Sequence, residues 1–197
     1  MERVRLYREH KYLTTVLFDA CTEFGKADLR NQAEQVGLMD KITGVRSLLE
    51  SHGNYEETRI HTRLAARGSE AHRLADGEHE RDLKALDSIL EKIKHCGDSL
   101  SHAHQVYLEF RKFVAEVLLH LDYEETVMLP KLQELYSDDE LRLIDKESYE
   151  QMDAGQMIDM LQVLFPSLNA DDKEFFIDEL HHAAPGFLKR NDSTQDS

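Results

Sequence analysis

An all-α fold built on a doubled helical hairpin is what this chain of 197 residues predicts, and three observations carry that reading. Apolar residues recur at three- and four-residue steps along most of the chain, the period of one helix face. No stretch of useful length shows the two-residue alternation of a strand. One short pattern also occurs twice, His-Gly-Asn-Tyr-Glu-Glu-Thr at 52–58 and His-Leu-Asp-Tyr-Glu-Glu-Thr at 120–126, a shift of 68 from His52 to His120. The pair Glu9-His10 returns as Glu78-His79 at nearly the same shift.

Taken in order, Leu6, His10, Leu13, Leu17, Cys21 and Phe24 line one face of a first helix. Gly25 offers it a stop, and a polar stretch follows to about Val36. The second helix aligns Leu38, Ile42, Val45, Leu49, His52, Glu56, Ile60 and Leu64, with Gly68 placed for a left-handed C-terminal cap. The third, over about residues 69–94, aligns Ala75, His79, Leu83, Leu86, Leu90 and Ile93 and ends before Gly97. The fourth opens near Ser99 and aligns Ala103, Val106, Phe110, Phe113, Val117, His120, Glu124, Val127 and Met128. Pro130 lacks the N–H that would bond back to Thr126, which predicts a kink or loosened turn just after the second motif copy.

Ser137 and Glu140 form a capping-box pattern for a further helix through about Met152. An apolar stretch from Met157 to Phe165 ends at Pro166. Asn169 can cap a last helix containing Phe175, Phe176 and Leu180, terminated by Pro185-Gly186, and the polar tail at 189–197 is expected to be disordered.

A net charge of −15 disfavours nucleic acid and anionic membranes as partners, because both would repel the chain. No stretch approaches the roughly 20 apolar residues of a membrane span, and the first residues lack the apolar core of a signal peptide. A cytoplasmic location is the expectation. Cys21 and Cys96 stand alone, without Cys-x-x-Cys spacing, and are expected as small core or half-buried side chains in a reducing compartment.

Residues four apart share a helix face, so His52 with Glu56, and His120 with Glu124, each point an imidazole and a carboxylate one way. These pairs, with His10 and His79, interrupt otherwise apolar stripes. Burying such groups uncompensated costs several kcal/mol, and either metal coordination or internal His–Glu ion pairs can compensate. Imidazole with carboxylate suits iron, manganese or zinc. The order, histidine first and glutamate four later, differs from the Glu-x-x-His of ferritin-like bundles; Leu49 and Val117 stand where that pattern needs glutamate.

Other candidates are weaker. His61, nine residues after His52, falls about half a revolution off the ligand face and reads as a solvated surface residue. His72, two turns before His79, reads as a partly exposed rim residue. His95, His102, His104, His181 and His182 read as surface positions. Tyr55 and Tyr123 either hydrogen-bond a ligand or pack at the core edge with hydroxyls in water. Glu57 and Glu125 point about 100° away from the paired glutamates and read as outer residues.

The set His10, His52-x-x-x-Glu56, His79 and His120-x-x-x-Glu124 resembles the hemerythrin-like, or HHE cation-binding, family over roughly residues 1–136. The resemblance implies an antiparallel four-helix bundle around a non-haem di-iron centre. It implies His10 and His52 on one iron, His79 and His120 on the other, and Glu56 and Glu124 bridging. Four protein bonds per metal fall short of about six, leaving room for an oxo or hydroxo bridge and for a small diatomic or oxo ligand such as oxygen, nitric oxide or peroxide. Oxygen carriers of the family resemble this chain except on the third helix, where they place two histidines four apart; here Ala75 and Leu83 flank His79. Reversible oxygen carriage is therefore the weaker expectation. Oxygen or redox sensing, or iron homeostasis, is the stronger one, and the alternative is an enzyme that reacts with oxygen, peroxide or nitric oxide or donates iron for repair. No catalytic residue is assigned.

The domain reading is a bundle at 1–136, a helical extension at 137–188 and a tail at 189–197. Met157, Leu161, Phe175 and Phe176 in the extension serve either to cover the bundle or to meet a protein partner.

Overall fold

The computed structural model describes residues 3–97, 99–150 and 152–183. Every regular element among them is helical. Two compact units divide the chain, one of Leu13–Met128 and one of Met1–Tyr12 with Leu129–Ser197.

The Leu13–Met128 unit takes most of α1 (His10–Lys26) and all of α2 (Gln32–Glu56), α3 (Thr62–Ala66), α4 (Arg73–Lys94) and α5 (Leu100–Tyr123). One core receives Leu13, Leu17 and Phe24 from α1, Leu38, Ile42 and Val45 from α2, Leu86, Ile89 and Ile93 from α4, and Val106, Phe110 and Val117 from α5. The helix α4 packs against both α2 and α5. These are the stripes the periodicity predicts, with one rotation: on α4, Asp82 and Ile89 are buried whereas Leu83 and Leu90 are half-buried.

Several boundaries move for local reasons. Gly25 does not stop α1, which runs to Lys26; a Cβ there would meet the Tyr107 ring at 3.5 Å, an ordinary packing contact. The Asn31 side chain accepts from the Ala33 N–H at 3.0 Å, so α2 begins at Gln32, inside the stretch read as a polar linker. Gly68 adopts φ +74° as expected. Its N–H bonds to the Ala65 carbonyl (2.9 Å) and that of Ser69 to Leu64 (3.0 Å), closing the preceding helix before α4 starts at Arg73. Ser99 caps α5 by accepting from the His102 N–H.

Both motif copies run into a π-helical turn, at Glu57–His61 and Glu124–Met128. The loosened turn expected before Pro130 takes this form, and it buries Met128 while turning Val127 outward. The first copy does the same with no proline after it.

The other unit contains α6 (Leu129–Leu135), α7 (Asp138–Tyr149), α8 (Ala154–Leu164), a 3-10 turn (Phe165–Ser167) and α9 (Ala170–Ala183). The Ser137 and Glu140 capping box opens α7, which ends at Tyr149, short of Met152. A second box, Asp153 with Gln156, opens α8, and Asn169 accepts from the Asp172 N–H (2.8 Å) to start α9. Tyr149, Met157, Phe176 and Leu180 form a core with Leu161 half-buried against it, so much of the apolar set is used internally. The Arg8 guanidinium lies over the Phe175 ring, 3.4 Å from its centroid. The Pro185-Gly186 stop and the tail from Lys189 lie outside the described residues. Among the described residues, no helix is long and apolar enough to cross a membrane.

Candidate metal centre

Each motif copy sits at the C-terminal end of a long helix, where the four-residue spacing projects histidine and glutamate from one face. On α2, His52 Nε2 lies 3.4 Å from Glu56 Oε1. On α5, His120 Nε2 lies 2.8 Å from Oε1 of Glu124, the first residue of the second π turn. Between them α4 inserts His79, whose Nε2 is 3.1 Å from Glu56 Oε2, 3.7 Å from Glu124 Oε1 and 3.1 Å from His120 Nε2.

Glu56 and Glu124 are both 0% exposed. One donor atom from each of Glu56, His79, His120 and Glu124 falls within 4.8 Å of the others, and so do donors from His52, Glu56 and Glu124. Two groups of metal-binding atoms thus share one pair of buried carboxylates.

The close approach of α4 depends on Gly53, next to His52. A Cβ at Gly53 would stand 3.0 Å from His79 Cγ and 3.1 Å from its Nδ1. The glycine is needed for space, not for backbone freedom.

Outer carboxylates fix the imidazoles. His79 Nδ1 donates to Glu57 Oε1 (3.1 Å) and His120 Nδ1 donates to Glu78 Oε2 (2.8 Å), which leaves each Nε2 facing inward. Burial works to lower the His79 pKa, but hydrogen bonds to Glu124, Glu56 and Glu57 outweigh it and push it up to about 10. The same contest, burial against Glu124, raises the His120 pKa. Burial would raise Glu124, yet His120 and His79 hold it well below the usual carboxylate range. Protons on the imidazoles thus supply positive charge that a metal would supply in their place. Burial raises the Asp82 pKa against the pull of Arg81.

A small cavity of about 10 Å³ is walled by His52, His79, Asp82 and His120 together with Leu49, Val117 and Leu121. That is close to the least space that holds one water-sized molecule.

The structure therefore brings together His52, Glu56, His79, His120 and Glu124. His10 is the first residue of α1, is 2% exposed, and lies with its ring 4.9 Å from that of Tyr7. It belongs to the other unit, since the boundary falls within α1 after Tyr12.

Two readings of the outer residues change. His61 is not a solvated surface residue but 3% exposed, with Nδ1 2.5 Å from Asp76 Oδ1. A π turn bonds five residues back and rotates less per residue, which swings His61 roughly a quarter revolution toward the ligand face. Burial lowers its pKa despite Asp76. The Tyr123 hydroxyl donates to the Ala71 carbonyl at 2.8 Å and ties the segment entering α4. Glu57 is an outer residue as expected, with the specific task of holding His79. His72 is half-buried, 3.9 Å from Asp76. His95 and His104 are exposed and His102 is half-buried, while the side chains of His181 and His182 lie outside those described.

Sequence reasoning missed His61, Asp76 and Asp82, and saw Glu78 only as part of a repeat. The one signal was the density of His and acid at 72, 76, 78, 79 and 82 on a single helix. Comparison with family models, curated proteins and solved structures finds no match to this chain.

Proposed function

We propose that the Leu13–Met128 unit is a hemerythrin-like four-helix bundle, made by α1, α2, α4 and α5, that holds two iron ions. The observation that carries this reading is the pair of donor groups meeting at the buried carboxylates Glu56 and Glu124. The donor set fits such a group: imidazole and carboxylate suit a borderline divalent or trivalent cation. His79 and His120 would hold one ion and His52 the other, with Glu56 and Glu124 between them.

Bound iron supplies electron exchange and open positions for a small oxygen- or nitrogen-containing ligand. The chain's residues do the rest. Glu57 and Glu78 hold His79 and His120 with Nε2 inward, and Leu49, Val117 and Leu121 narrow the cavity that His52, His79, His120 and Asp82 also line. The function supported best is a non-haem di-iron binding module in oxygen or redox sensing or in iron homeostasis. The cavity beside His79 and His120 favours a second reading, an enzyme acting on oxygen, peroxide or nitric oxide.

Metal analysis of protein supplied with iron anaerobically tests the proposal, followed by absorption spectra of the oxidised form with and without azide. The expected result is close to two irons per chain and a spectrum that azide perturbs. One tetrahedral zinc, or no tightly held metal, would sink the reading.

A further inference from the structure

Three histidines in the Leu13–Met128 unit are built alike. In His79 and His120, Nδ1 is bonded to an outer carboxylate, Glu57 or Glu78, and Nε2 is left for the interior. His61 repeats the arrangement with Asp76, at 2.5 Å. Its Nε2 is buried and has no hydrogen-bond partner. A carboxylate on one ring nitrogen fixes the tautomer and makes the other a better donor to a metal, which is how ligating histidines are commonly held. A buried, unpartnered ring nitrogen otherwise leaves a desolvated acceptor with nothing in return.

Position agrees with construction. The His61 ring lies parallel to that of His79, 5.6 Å between centroids and 5° between planes. His61 is also within electrostatic reach of Glu124. The π turn that brings it inward adjoins Glu56, the last residue of α2.

We propose that His61 is a further metal ligand, binding through Nε2 on the His79 side of the centre, with Asp76 as its orienting carboxylate. The inference rests on the two-metal reading above. It supplies from the α2 side the extra imidazole that α4 does not, since Ala75 and Leu83 flank His79. With that ligand the His79 side is richer in protein nitrogen than the His52 side.

The test uses the whole chain loaded with cobalt(II) and read by proton NMR. An imidazole bound through Nε2 keeps an Nδ1–H whose exchangeable resonance is moved far outside the ordinary range by the metal. His61→Ala and His61→Gln should each remove one such resonance. Each should also weaken one metal by about 10- to 100-fold or more in chelator competition, the other metal staying bound. Asp76→Asn keeps the imidazole and should shift that same resonance alone, which covers the case in which a His61 variant does not fold. His72→Ala should leave the set unchanged. If His61→Ala retains every shifted resonance and both affinities, His61 is not a ligand although the two-metal reading stands. If the parent chain binds no cobalt, that reading itself fails and this one with it.

Discussion

The motif copy on α2 and the copy on α5 carry the same His, Tyr, Glu, Glu and Thr, yet two of the differences around them bear on the centre. After the histidine, the first copy has Gly53, against which the His79 ring packs, and the second has Leu121, which joins the core. At the end of the π turn the first copy has His61, buried against Asp76; the corresponding position after the second copy is Leu129. The matching residues supply the same imidazole and carboxylate pair in each copy, and the differing ones decide where the His79 ring packs and whether a further imidazole is buried beside it.

The largest effect should come from the residues the copies share. Glu56→Leu and Glu124→Leu should each abolish metal binding, because each removes a carboxylate common to both donor groups. In the metal-free protein Glu124→Leu should also cost about 3–5 kcal/mol by leaving protonated His79 and His120 buried beside fewer carboxylates. Urea unfolding with metal analysis checks both; retention of both metals by either variant would remove the shared-carboxylate arrangement.

Removal of metal exposes the same charges to pH. His79 has a folded pKa of about 10 against 6.5 unfolded, so its contribution is complete below 6.5 and is lost as pH rises through about 10. Glu124 is depressed, so its contribution is present above 4.5 and is lost as pH falls. His61, lowered by burial, has the opposite sign to His79: its contribution is present above 6.5 and fades below. Metal-free protein should therefore be most stable near 6.5 and decline toward 10, while metal-loaded protein should stay flat across that range. Urea midpoints of both forms between 6.5 and 10 measure the contrast.

The two positions that break the symmetry should respond in different currencies. Leu121→Ala should lower stability by about 3 kcal/mol through a core cavity while leaving metal stoichiometry intact. Gly53→Ala should cost less, about 1–3 kcal/mol, but should displace His79 and weaken its ion. Thermal melts with chelator competition separate the cases; equal metal loss in both variants would erase the distinction. Smallest is Tyr123→Phe, which removes the bond to the Ala71 carbonyl and should cost about 1 kcal/mol without altering metal affinity. Differential melting and chelator competition read this directly.

The sequence by itself determined the all-helical class, the core stripes and the caps at Ser99, Ser137 and Asn169, because each depends on spacing within one helix or one turn. It also named His52, Glu56, His79, His120 and Glu124, since a four-residue step fixes the direction of a pair whatever lies opposite. Only the tertiary structure decided what depends on a facing helix or a change of pitch. Glu78 looks like one half of a repeat until α5 is seen to bring His120 Nδ1 to it. Asp82 carries no signal in the sequence and is buried because α4 is rotated from the stripe that spacing predicts. His61 looks exposed because an ideal helix places it half a revolution from His52. The π turn Glu57–His61 breaks that count, and no residue in the first copy announces it as Pro130 does in the second.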